Sequence, residues 1–309
     1  MDKVAPRVSV VPPVADVERA VLDAGGTIVD PSSADAIVWT DPADAEALRE
    51  TLEDSPARWI QLPFAGIEKF LEAGVLDPAR TWTCAKGIYG PSTAEHALAL
   101  VLLAARRLDA HVRARRWRQK GEFAGVRRLE GGTVLIVGGG GIGRALAEML
   151  SPLGPRILAV NRSGEPMPGA ERTVASDRLS EVVGEADWIV LAAAMTPATH
   201  HMIDAATIAK MKPDAWIVNV GRGGLVDTDA LVDALREKRI GGAGLDVTDP
   251  EPLPEDHPLW SLDNAVVTSH TANTWAMALP ELVALAGRNV RHFANGEPLE
   301  GLVDVERGY

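Results

Sequence analysis

The sequence predicts an α/β protein of two domains, each built on a parallel sheet. Three observations carry that expectation. The chain has 309 residues, too many for one ordinary core and about right for two. Short β-branched runs alternate with helix-length segments in both halves, which is the pattern of βα units. A glycine-rich turn at residues 138–143 joins an apolar strand to a helix, as phosphate-cradling turns of parallel sheets do.

The elements follow in order. Residues 7–14 are strand-like and 17–24 have helical spacing; 26–30 and 36–40 are further short strands. Asp41 or Asp44 caps a helix over 43–52, 59–62 is a strand, and Ala65-Gly66-Ile67 turns into a helix ending near Gly74. A long helix begins at Ser92 or Thr93, with Glu95 placed in its first turn. The second half opens after Gly131-Gly132, with strands at 133–137, 157–160, 188–192, 215–218, 243–247 and 265–268. Helices are expected at 144–150, 229–238 and 275–293, the last broken by Gly296-Glu297-Pro298.

Composition narrows the functional classes. Apolar residues make up 46% and charged residues 24%, the balance of a folded soluble chain. The net charge of −12 opposes non-specific binding to nucleic acid or anionic membranes. The basic run Arg113, Arg115, Arg116 and Arg118 is read as a solvated face or a surface for an acidic partner. Cys84 is the single cysteine, so no internal disulfide framework exists, and buried packing is its expected role. Residues 94–105 are interrupted by Glu95 and His96 and fall short of a membrane span, and residues 1–14 lack a long apolar segment. A cytoplasmic location is expected. There is no HExxH and no compact Cys/His ligand set, so no metal is expected.

Within TVLIVGGGGIGRALAEML, Gly138 permits a tight turn, Gly140 leaves room for a pyrophosphate, and Gly143 lets helix and strand approach. Gly141 and Ile142 open the helix, whose amino end can neutralise phosphate charge. Ala145, Leu146, Met149 and Leu150 give that helix an apolar face.

The stretch MKPDAWIVNVGRGGLVDTDALVDALREKRIGGAGLDVTDPEPLPEDHPLW, followed by NAVVTSHTA, resembles the D-isomer-specific 2-hydroxyacid dehydrogenase family. The similarity runs from Ala65-Gly66-Ile67 through the glycine turn into the last helix. It implies two Rossmann-like or flavodoxin-like domains, a cofactor domain at 97–280 inserted into a substrate domain of 1–96 and 281–309. It also implies a homodimer held largely through the cofactor domains, and a small 2-oxo or 2-hydroxy acid as substrate, with glyoxylate or hydroxypyruvate expected.

The same resemblance assigns residues. Arg222 matches the substrate-binding arginine, whose forked donors suit a carboxylate. His270 matches the acid–base histidine and Glu251 its acidic partner, which favours the charged imidazole and fixes its orientation. Asp249 is the competing acid two positions earlier. Ala65, Gly66 and Ile67 match a loop offering backbone amides to the substrate, and the role of Tyr89 is left open. Thr196, Pro197 and the Asn219-Val220-Gly221 run, Val220 included, match contacts to the nicotinamide half, and Asp246 matches a holder of the carboxamide. The six histidines other than His270 are read as structural.

Asn161 ends the second strand of the cofactor domain, where an acid usually meets the ribose hydroxyls of NAD. With Arg162 and Ser163 beside it to pair with a 2′-phosphate, NADP(H) is the preferred cofactor and NAD(H) a possible one. The competing reading is a catalytically weak, cofactor-sensing interaction protein of the corepressor type. Arg222, Glu251 and His270 together favour catalysis over it.

Overall fold

A computed structural model describes residues 5–122 and 124–305. By packing, the chain up to Tyr89 and the chain from Trp275 onward form one unit, and Gly90–Thr274 forms the other.

The smaller unit opens with β1 (Arg7–Val11), α1 (Ala15–Asp23), β2 (Thr27–Ile28) and β3 (Ala36–Trp39). It continues through α2 (Ala45–Glu53), β4 (Trp59–Gln61), α3 (Glu68–Glu72) and β5 (Thr81–Thr83). The strands form a parallel sheet in the order β2-β1-β3-β4-β5, a doubly wound arrangement of the flavodoxin type. Asp44 is the helix cap of the two candidates: its Oδ1 accepts from the Ala47 amide at 2.8 Å, and Asp41 instead folds the preceding turn. Strand β5 is an addition to the sequence reading. Three residues with one large apolar side chain, Trp82, are too short to show a period.

In the larger unit, α4 (Gly90–Arg106) and α5 (Leu108–Ala114) precede β6 (Thr133–Val137), α6 (Gly141–Leu150), β7 (Arg156–Asn161) and β8 (Arg172–Ala175). Then come β9 (Trp188–Leu191), α7 (Ala205–Ile208), β10 (Trp216–Asn219), α8 (Thr228–Arg236), β11 (Gly242–Leu245) and β12 (Ala265–Val267). The parallel sheet runs β12-β11-β10-β9-β6-β7-β8, so the direction of winding reverses between β6 and β9. Strand β6 is buried throughout, with Leu135 and Val137 in the core on one face and Val134 and Ile136 in the core on the other. A strand covered on both sides reads as a continuous apolar run, which is why this one was legible.

Two expectations for α4 are corrected. The helix starts at Gly90, so neither Ser92 nor Thr93 is its cap, and Glu95 lies beyond the first turn. Pro91 needs no amide partner in a first turn, and Gly90 sits so close to Gly141 that a Cβ would stand 2.8 Å from its carbonyl oxygen. The Ser92 hydroxyl donates to Asn273 Oδ1 at 2.9 Å.

The packing boundaries fall at the starts of the two long helices, ahead of the expected boundaries at 97 and 280. Ala94, Ala97, Leu100, Val101, Ala104 and Ala105 of α4 are all buried in the core of the larger unit, so the helix belongs to it as a whole. The last helix, α9 (Trp275–Asn295), returns to the smaller unit and buries Ala286 and Val290 against Val17, Val21 and Trp59. A buried polar chain secures it. Trp59 Nε1 donates to Thr83 Oγ1 (2.7 Å), Thr83 donates to Gln61 Oε1 (2.8 Å), and Asn289 Nδ2 donates to the same oxygen (2.9 Å). Cys84 is buried as expected, and burial pushes its thiol pKa up.

Candidate active site

The glycine turn between β6 and α6 sits where the strand order reverses, the position at which open parallel sheets bind ligands. Gly138 has φ +122°, and a Cβ there would run into the Ala192 backbone just beyond β9. A Cβ at Gly143 would collide with the Gly138 carbonyl oxygen. Gly140 differs: nothing lies within 4 Å of its missing Cβ. The first and third glycines are therefore required by the protein's own packing, and the middle one opens space beside the amino end of α6. Gly141 is exposed there, and Ile142 packs inward. These residues fit the pyrophosphate of a dinucleotide.

At the end of β7, Asn161 Oδ1 accepts from the Gly164 amide (2.7 Å) and its Nδ2 donates to the Glu165 carbonyl (2.7 Å). Aspartate could not make the second bond, so the asparagine closes the turn that presents the exposed Arg162 and Ser163.

The loop after β10 is held from beneath. Asn219, fully buried, donates from Nδ2 to the Arg222 carbonyl (2.9 Å) and accepts at Oδ1 from the Gly221 amide (3.1 Å). Arg222 is half-buried and extended, with φ −145°. Val220 is buried, and Thr196 leads the loop after β9 into Pro197 with its amide donating to Thr199 Oγ1 at 2.8 Å.

His270 has φ +52°, a left-handed backbone uncommon for a residue with a Cβ. Its Nδ1 meets Glu251 Oε1 at 2.6 Å. The pair borders a cavity of about 240 Å³ also lined by Thr248, Leu253, Trp260 and Thr268. The two side chains are 49% and 42% exposed. Asp249 lies elsewhere, beside His200 and His201.

Asp246 holds the His270 turn from below. Its buried carboxylate accepts from Thr268 Oγ1 (2.6 Å) and from the amides of Thr271 (2.9 Å) and Ala272 (3.0 Å), while its carbonyl accepts from the His270 amide (2.8 Å). His96 Nε2 lies 3.0 Å from Thr268 Oγ1 and 3.4 Å from Asp246 Oδ1. Sequence reasoning left His96 among the structural histidines and passed over Thr268. Thr268 stands two residues before His270, which is the one available signal. His96 is 150 residues from Asp246 and no spacing rule links them.

Ala65, Gly66 and Ile67 lie in the smaller unit, in the turn from β4 to α3. Ala65 is exposed and the Ile67 side chain is part of that unit's core. The Tyr89 hydroxyl donates to the Pro63 carbonyl at 2.6 Å, and burial, with the nearby Glu281 charge, pushes its pKa up. Tyr89 thus steadies the loop and does not stand ready to release a proton.

The model of the D-isomer specific 2-hydroxyacid dehydrogenase NAD-binding domain matches residues 97–272. An uncharacterized Corynebacterium melassecola protein from the proB 3′ region is 41% identical over 295 residues, covering 94% of this chain and 95% of that one. A glyoxylate reductase of Thermococcus onnurineus is 40% identical over 224 residues, covering 70% of this chain and 66% of its own length. Among solved structures, a D-isomer specific 2-hydroxyacid dehydrogenase family protein of Aeromonas salmonicida superposes with a TM-score of 0.83 at 28% identity, covering 98% and 100% of the two chains.

Proposed function

Since this chain belongs to the D-isomer specific 2-hydroxyacid dehydrogenase family, whose members are NAD(P)-dependent oxidoreductases acting on CH–OH groups, we propose that it reduces a small 2-oxo acid, glyoxylate or hydroxypyruvate. The observation that carries this reading is the 2.6 Å contact of His270 with Glu251 at the edge of an accessible cavity. Glu251 orients the imidazole through Nδ1, which leaves Nε2 to hand a proton to the substrate oxygen in reduction and to take it back in oxidation. Arg222 offers its guanidinium to the acid's carboxylate and polarises the keto group. A reduced dinucleotide, held by the residues named below, would supply the hydride to C2. Ala65, Gly66 and Ile67 contribute backbone amides to the carboxylate.

The cofactor is held by Gly138, Gly140, Gly141, Ile142 and Gly143 at the phosphates, and by Thr196, Pro197 and Val220 at the nicotinamide half. Asp246 adds a contact to the carboxamide while it holds the His270 turn. NADPH is preferred over NADH because Asn161 removes the carboxylate that would repel a 2′-phosphate, and Arg162 and Ser163 stand next to it. The chain works in the cytoplasm as a homodimer, with the exposed Trp117 of the basic run and the adjacent exposed Val112 at the subunit contact.

The test is turnover of glyoxylate and hydroxypyruvate by wild type and by His270→Ala. The variant is expected to lose kcat by about 10²–10⁴-fold, the usual contribution of a positioned acid–base group, with its circular dichroism unchanged. Undiminished turnover in the variant, or none in the wild type with either acid, overturns the reading. The latter result would favour the cofactor-sensing alternative.

A further inference from the structure

The geometry points to a second site in the larger unit: His200, His201 and Asp249 form a binding site for a divalent transition-metal ion of the zinc class. The ligand atoms of the three side chains all lie within 4.8 Å of one another. Donors about 2.1 Å from a tetrahedral ion stand roughly 3.4 Å apart, so capture of an ion asks for side-chain shifts of about 1 Å. His200 and Asp249 are exposed and His201 is half-buried, so their ends have room to make that shift. Two imidazoles and one carboxylate suit zinc, cobalt, nickel or copper, and are a poor set for magnesium or calcium, which take oxygen ligands.

Three loops at the strand ends build this arrangement. The loop after β9 is pinned where the His200 amide donates to the Thr196 carbonyl (3.0 Å) and the His201 amide to the Gly224 carbonyl (2.8 Å). The loop after β11 is pinned where Thr228 Oγ1 donates to the Asp249 carbonyl (2.8 Å). Between them run Gly223 and Gly224. A Cβ on Gly223 would collide with the Thr248 carbonyl; one on Gly224 would press on Met195 and stand 3.5 Å from Asp249 Oδ2. The paired glycines let the acid approach the histidines.

The backbone of His201 supplies an independent observation. It has φ +51°, a conformation that glycine adopts freely and that a Cβ disfavours. The two imidazoles lie stacked with centroids 3.8 Å apart, so their lone pairs run side by side and one exposed ring must turn to converge on an ion. An imidazole kept at a position suited to glycine, beside a second imidazole and facing a carboxylate, is placed where a metal ligand would be useful. No sequence motif reveals it, because the histidines and the acid are separated by nearly fifty residues.

The ion would tie the loop after β9 to the backbone that leads, two residues on, to Glu251. The site is independent of the substrate assignment. Its test is calorimetric titration of the chelator-stripped protein with zinc chloride, repeated with cobalt(II) and read by visible absorption. Wild type should bind one ion per chain, and so should His270→Ala, which excludes capture by the His270–Glu251 pair. His200→Ala and Asp249→Asn should each weaken binding by at least about tenfold, with unchanged melting temperature in chelator and unchanged turnover. Zinc binding that is equal in wild type and in a His200→Ala/His201→Ala double variant overturns the proposal, as does binding that disappears in His270→Ala alone.

Discussion

The two parallel sheets of this molecule share an architecture and differ in what their strand ends carry. In the larger unit the loops after β6, β9, β10 and β11 hold close-packed glycines, a buried asparagine clamp, Arg222 and Glu251, and the turn just after β12 holds the left-handed His270. In the smaller unit the turn after β4 carries Pro63, Phe64, Ala65 and Gly66, with no charged side chain, and Ile67 turned into the core. The polar groups of the smaller unit that are most elaborately bonded, Thr83, Gln61 and Asn289, are buried and face one another. The strand-end loops of the larger unit thus carry charged and titratable side chains, whereas the turn after β4 offers backbone groups, which is why function is argued from loops and not from topology.

Substitutions can break that contrast. After His270→Ala, the largest effect is expected from Arg222→Ala, which should lower kcat/KM for the 2-oxo acid by roughly 10²–10³-fold, the cost of losing a donor aimed at developing charge. Steady-state kinetics checks it, and a variant with wild-type kcat/KM would remove Arg222 from the site. Gly143→Ala comes next. Its Cβ would strike the Gly138 carbonyl, so unfolding in urea should show a loss of about 1–3 kcal/mol together with weaker dinucleotide binding.

On the other side of the contrast, Thr83→Val should cost about 1–3 kcal/mol of stability by leaving Trp59 Nε1 and Gln61 without their shared partner. Its kcat should stay at the wild-type value, and a fall in kcat at full folding would show that this buried polar chain does more than hold the sheet together. The smallest effect is reserved for Arg162→Ala. One charged hydrogen bond to a 2′-phosphate is worth about 1.5 kcal/mol, so the NADPH/NADH ratio of kcat/KM should drop roughly tenfold. A ratio that does not move would leave Arg162 as a surface residue only.

Legibility in the sequence followed burial and locality. Strand β6 declared itself through five consecutive buried residues, and the glycine turn through its setting between strand and helix. The family resemblance chose Glu251, but sequence distance alone did not exclude Asp249; in the fold Glu251 meets His270, and Asp249 lies by His200 and His201. Edge strands β5 and β8 escaped because three or four half-polar residues have no measurable period. His96 and Thr268 escaped because a buried hydrogen-bond network is assembled across elements and leaves no spacing in the chain.

The discontinuity of the smaller unit has a consequence for the order in which the molecule is made. Gly90–Thr274 is contiguous, so every strand of the larger sheet is synthesised before α9. The smaller sheet is translated first, yet Gln61 must wait for Asn289, 228 residues downstream, to close its polar chain. Domains tend to mature as units during synthesis, and pairings across long loops come late. In this chain the unit begun first is therefore finished last, and the apolar face of α1 and β1 that α9 covers stays open until that helix is made.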